Sequence, residues 1–193
     1  MPADIDIDMP NRDVLLQLIR HTPARLSSDH AQVRRHNSGV YVTDIPQDLV
    51  NQCAAIDYEM AEQRGYFKLD LLNMHVYDLV KDPEHYEAML AMPPVWHRLA
   101  EEEFVAKVTH IGNHFDTLQR MPEPVDTVPR MAMFLAVIRP GKRHLVGKTW
   151  KQVAETVWDK TTEGYTFKKS HAIAYAHVVA LHMNLLHTLD QHN

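Results

Sequence analysis

The chain has 193 residues and 45% hydrophobic content, enough for one sizeable core or a core plus a smaller lobe. Its net charge of −5 excludes a protein that coats nucleic acid by bulk charge, so any such role must rest on local basic patches. A single cysteine, Cys53, excludes an internal disulfide framework and a multi-cysteine zinc site, and with an acidic N-terminal region and no apolar run near the roughly 18 residues of a membrane span, the expectation is a cytoplasmic protein without a membrane segment.

The segment Ala3-Asp-Ile-Asp-Ile-Asp-Met9 alternates apolar and acidic residues with period two. That pattern predicts a strand with Asp4, Asp6 and Asp8 on one face. Like charges so placed repel, and a divalent cation is the usual remedy. Pro10 ends the strand, and Arg12 to Ile19 reads as a helix. Thr22 to Arg34 is polar without a period and reads as loop. Ser38 to Asp44 is a second strand, rich in β-branched residues. Pro46 opens a helical stretch to about Gln63, with Gly65 as its stop. Tyr66 to Leu72 is a third strand, carrying Asp70 and, two residues before it, Lys68 on the same face.

Beyond this point the pattern is helical, broken at Pro93-Pro94 and from Met121 to Pro124. Arg130 to Ile138 fits either helix or strand, and Arg139-Pro-Gly141 breaks it. Thr149 to Thr161 is an amphipathic helix, and Lys169 to Leu189 is another long one. With only six glycines and many good helix formers, the expected class is α+β and mostly helical. A small acidic sheet over residues 1–92 would be followed by a helical part over 93–193. Basic residues concentrate in the second part, among them Arg139, Lys142, Arg143, Lys148, Lys168 and Lys169.

Two-metal phosphoryl transfer needs carboxylates that hold two cations about 3.5–4 Å apart. An Asp-x-Asp on one strand and an Asp on its neighbour supply them, and a lysine such as Lys68 can meet a phosphate. The plain alternative is a set of exposed acids that guard an edge strand against aggregation.

Several segments, in order, resemble the C family of replicative polymerases, the bacterial DNA polymerase III alpha subunits. Asp4-Ile-Asp-Ile-Asp-Met9, with Arg12-Asp13 after it, is similar to that family's P-D-x-D-x-D-F…R-R-D palm motif. His36-Asn-Ser-Gly-Val-Tyr-Val42 resembles its H-A-A-G-V-V-I strand, and Tyr66-Phe-Lys-Leu-Asp-Leu-Leu72 its V-K-F-D-F-L segment. Ile138-Arg-Pro-Gly141 resembles Y-R-P-G, and Arg143-His-Leu-Val-Gly-Lys148 resembles R-R-A-M-G-K. The longest likeness is Gly164-Tyr-Thr-Phe-Lys-Lys-Ser-His-Ala-Ile-Ala-Tyr-Ala176 to G-Y-G-F-N-K-S-H-A-A-A-Y-A.

The resemblance implies a condensed palm of the polymerase-beta-like nucleotidyltransferase kind, followed by a fingers-like part. It makes Asp6, Asp8 and Asp70 catalytic and, with Asp4, ligands of two Mg²⁺ ions. Lys68, Arg143, Lys148, Lys169, Ser170 and His171 would contact nucleotide or DNA. The implied partners are a primer–template, a nucleoside triphosphate and a protein that supplies missing polymerase segments. The family's glycine–serine nucleotide cradle would precede residue 1, and its thumb has shrunk to the stretch around Thr22 to Arg35. His144 stands for a family arginine, which removes a permanent charge. Such condensation suggests a phage gene, as a piece of a split enzyme or as a catalytically vestigial binding or structural component of a replisome or virion.

Other motifs weigh less. Phe134 to Thr149 mimics a phosphate-binding loop, but Gly141 and Gly147 enclose one residue too many. His110 and His114 fall at helical spacing without a third ligand. His171, His177, His182, His187 and His192 spiral around the last helix and build no site. Met131, Met133, Trp96, Trp150 and Trp158 read as core or interface.

Overall fold

In the computed structural model, which describes residues 5–26, 33–160 and 167–192, the alternation at the start of the chain becomes strand β1 (Ile5–Met9). Asp4 lies outside the described residues, as does most of the stretch leading into the last helix. The Asn11 side chain accepts from the Asp13 amide at 3.0 Å and starts helix α1 (Arg12–Leu18). Strands β2 (Thr22–Arg25) and β3 (Arg35–Tyr41) follow, then the two-residue strands β4 (Gln47–Asp48) and β5 (Cys53–Ala54). Asp57 caps helix α2 (Tyr58–Gln63), and Gly65, with φ of +81°, supplies the left-handed residue that ends it. Strand β6 (Leu69–Asn73) completes the group.

Four of the strands form one mixed sheet in the order β1-β6-β3-β2, with β1 parallel to β6 and the other pairs antiparallel. β4 and β5 make a separate small pair. A modest core of Ala24, Tyr41, Ile45, Ala54 and Ala61, with Ile56 and Tyr66 against it, lies on this part.

Four expectations need correction here. Residues 22–34 are not all loop, because Thr22–Arg25 pairs with β3; Pro23 is tolerated since β2 is an edge strand. The helix expected from Pro46 to Gln63 is reduced to α2. Asp48 takes the Val50 and Asn51 amides on its side chain, each at 3.0 Å, and Gln52 sits at φ of +51°, so the backbone turns instead of coiling. The second strand lies at Arg35–Tyr41, earlier than the Ser38–Asp44 expected, and the third at Leu69–Asn73, later than Tyr66–Leu72.

The chain divides into two compact units, Met1–Asp78 and Leu79–Asn193. The second contains helices α3 (Pro83–Ala91), α4 (Glu102–Val105), α5 (Phe115–Gln119), α6 (Val128–Val137), α7 (Trp150–Thr156) and α8 (Lys169–Asp190), with short 3₁₀ turns between some of them. The ambiguous run is helical: the Thr127 side chain caps α6, and Pro129 fits its first turn. Met131, Phe134 and Leu135 on α6 are buried with Val179 and Met183 of α8 in one large apolar cluster. The unit boundary falls at 78/79, where the sequence suggested 92/93. The intervening α3 belongs with the helices because the Asn184 side-chain amide donates to the Met89 and Met92 carbonyls at 3.0 and 2.9 Å. Among the described residues α8 alone is long and apolar enough to cross a membrane, and half of that stretch is buried within the protein.

Candidate functional site

The acidic residues of the first unit converge through strand register. Asp6 of β1 is the direct partner of Asp70 of β6, and Asp8 is opposite Leu72. Partners in register present their side chains on the same face, and residues two apart on a strand do likewise. Asp6, Asp8 and Asp70 therefore share one face of the sheet. Ile5 and Ile7 point to the other.

The next strand adapts to this face. Gly39 of β3 pairs with Asp70, and the space where its side chain would stand is filled. A Cβ there would come within 2.8 Å of the Lys68 Cδ and 3.1 Å of the His36 ring. Residues 36–39 bulge out of regular pairing with β2, and the His36 ring folds back over its own backbone. Its Nδ1 accepts from the Ser38 and Gly39 amides at 3.3 and 2.9 Å. The same Nδ1 lies 3.6 Å from Asp70 Oδ1. The bulge aims the Ser38 hydroxyl at Asp70, to which it donates at 2.8 Å.

Asp70, 6% exposed, is one of the few buried charged residues of the protein. Lys68 Nζ meets its other oxygen directly, and that lysine lies beside the Tyr58 ring, 6.0 Å from its centroid. Arg12, at the start of α1, ties the strands together: its guanidinium donates to the Asn37 carbonyl, and its amide donates to the Asn73 side chain at 2.7 Å.

Asp8 is less well served. Its Oδ1 is buried with no hydrogen-bond partner. Burial, and then repulsion from Asp6, push its carboxyl above the ordinary aspartate range. An orphaned acceptor of this kind, on the face that Asp6 and Asp70 share, fits a divalent cation. The Asp70 side chain is engaged elsewhere, and among the described residues no three His, Cys, Asp or Glu side chains gather into a metal-holding group. The backbone register places Asp6, Asp8 and Asp70 on one face, whereas Asp70 is bound to a lysine and a serine.

The remaining predicted residues lie in the second unit. Arg143, Lys148, Lys169 and Ser170 are exposed, and His171 is half-buried. Lys169 Nζ sits 5.9 Å from the Trp158 ring, and the Arg139 guanidinium 4.7 Å from the Phe167 ring, both at the N-terminal end of α8. Lys142 is not a surface cation: it is 3% exposed and donates to the Thr156 carbonyl at 2.6 Å, closing the end of α7. The segment that mimics a phosphate-binding loop follows a helix, α6, not a strand, and Gly141 lies in a 3₁₀ turn. His110 and His114 do not share a helix. His110 turns at φ of +64°, and His114 precedes α5.

His36, Ser38 and Arg12 are the site residues that spacing alone missed. Their segments carry the family resemblance, which was the available signal, yet their contacts depend on a bulge and on strand neighbours distant in sequence. No family model, curated protein or solved structure matches the chain.

Proposed function

We propose that this chain is a polymerase III alpha-like nucleotidyltransferase component of DNA replication, of a condensed, phage type. The observation that carries the reading is the register of Asp6 with Asp70 on adjacent parallel strands, with Asp8 on the same face. The sheet of the first unit would then be a palm of the polymerase-beta-like kind, and the helical unit fingers-like. Asp6, Asp8 and Asp70 would hold Mg²⁺, with Asp4 a further candidate, and the buried orphan oxygen of Asp8 supports a cation there.

In the reaction, the primer 3′-hydroxyl oxygen bonds to the α-phosphorus of a deoxynucleoside triphosphate. The bond from that phosphorus to the oxygen bridging to the β-phosphate breaks, the hydroxyl proton passes to water, and pyrophosphate departs. Bound cations supply charge neutralisation and a more acidic hydroxyl. The chain's own residues fix the reacting face: Arg12 pins α1 to the strands, and the Ser38 bulge holds Asp70. Lys68 can offer its charge to a phosphate. In the second unit the exposed Arg143, Lys148, Lys169 and Ser170 are the proposed contacts to nucleotide or DNA, with His171 beside them. Among the described residues between β1 and β3, the elements are α1 and β2, and a partner protein is proposed to grip the primer–template.

A second reading is favoured by Asp70 itself, whose oxygens are taken up by Lys68 and Ser38. In that reading the palm survives as a catalytically vestigial binding or structural module. Primer extension with Mg²⁺, by the chain alone and with co-encoded proteins, separates the two. Incorporation that disappears in Asp6→Asn and in Asp70→Asn supports the enzyme. No incorporation in any mixture, with no calorimetric Mg²⁺ binding, supports the vestigial module.

A further inference from the structure

Lys68 occupies the position of a cation. Its ammonium lies against Asp70 inside a nearly closed setting, with side-chain exposures of 15% for the lysine and 9% for the aspartate. Its stem lies over Gly39, where the strand carries no side chain to displace it. A buried carboxylate needs a positive partner, and removing that partner leaves a charge that must find another. Across the strand pair stands Asp6, and beside Asp6 the unpartnered oxygen of Asp8.

From this arrangement we propose that Lys68 is a built-in counter-ion that holds the third carboxylate in reserve, and that a divalent cation binds by displacing it. The inference rests on the metal-site reading of Asp6, Asp8 and Asp70 and adds a rule for how that site is loaded. While Lys68 is on Asp70, one oxygen of that carboxylate is taken up by the ammonium and the other by the Ser38 hydroxyl. A divalent ion entering between Asp6 and Asp70 takes over the neutralisation, and the lysine swings out with its charge intact. It is then placed to meet an anion such as a triphosphate. Metal and lysine therefore compete for one carboxylate, and the loss of the lysine strengthens metal binding instead of weakening it.

The test uses the full chain and Mn²⁺ as the probe, titrated by calorimetry. Lys68→Gln is expected to bind Mn²⁺ at least ten-fold more tightly than the unaltered chain, and the gain should vanish in the Lys68→Gln/Asp70→Asn double variant. Mn²⁺ binding that is lost in Asp70→Asn but unchanged in Lys68→Gln overturns the counter-ion role and leaves the metal site standing. No Mn²⁺ binding in either the unaltered chain or Lys68→Gln overturns both. A second measurement needs no substitution at Lys68: acetylation of its amine, followed by mass spectrometry of the unaltered chain. The rate should rise several-fold when Mg²⁺ is added, and Asp70→Asn should raise it without metal. A rate indifferent to Mg²⁺ overturns the proposal.

Discussion

In the helical unit Asn184, Lys142 and His182 bond to backbone, whereas in the sheet unit the buried Asp70 is held by side chains. Asn184 joins α8 to the end of α3, Lys142 closes α7, and His182 Nδ1 accepts from the Thr109 amide at 2.9 Å. Each satisfies a main-chain group that a packed helical fold would otherwise strand. Asp70, Lys68 and Ser38 instead satisfy side chains, and Asp8 keeps an oxygen with no partner at all. Buried polar atoms without a partner occur in the second unit too, Asn184 Oδ1 among them. What sets the first unit apart is a buried carboxylate held by a lysine and a serine, with the Asp8 orphan on the same face.

That contrast can be broken or sharpened by measurement, because all three tryptophans, Trp96, Trp150 and Trp158, lie in the second unit. Tryptophan fluorescence reports that unit, and hydrogen exchange of the β3 and β6 amides reports the other. The largest expected effect is Phe134→Ala, at a fully buried position, which should destabilise the helical unit by about 3–5 kcal/mol. Equal loss of protection in β6 would erase the distinction between the units.

Acid should act next in size. Burial, and then the neighbouring His110, bring the His182 pKa down to about 4. The ordinary value of about 6.5 belongs to the unfolded chain, so the unfolded state binds the proton first. Stability is full above about pH 6.5 and falls as the pH drops towards 4, by up to about 3 kcal/mol. Denaturant midpoints read by fluorescence should follow that curve, and His182→Gln should flatten it.

The counter-ion of the sheet should matter comparably but only without metal. Lys68→Gln is expected to lower the protection of β6 by about 2–3 kcal/mol, with much of it restored by Mn²⁺. Restoration by Mn²⁺ of the unaltered helical unit would contradict this assignment. The smallest change has the opposite sign. Burial and Asp6 hold the Asp8 carboxyl above its ordinary range, so its ionised form costs stability, which returns as the pH falls through the raised value. Asp8→Asn should therefore stabilise β1 by up to about 1 kcal/mol in the absence of metal.

The positions of Asp6, Asp8 and Asp70 were legible because period-two alternation depends on local pattern alone. The end of α2 at Gly65 and the long α8 were legible for the same reason. The hidden parts share a cause. β2 carries a proline and becomes a strand only through pairing with β3, and the turn at Asp48 arises from one side chain outbidding a helical backbone. The engagement of Asp70 was hidden too, because a bulge in β3 decides where Ser38 points and pattern carries no trace of it.

The pairing of Asp6 with Asp70 also governs when the site comes into being. β1 is made well before its partner β6, with four other strands and two helices between them, and parallel pairing across such a span is slow to form. During that wait β1 is an unpaired strand with Ile5 and Ile7 available to any other chain. Its alternate aspartates repel a second copy of itself, so the same charges that mark the candidate site protect the nascent strand from aggregation.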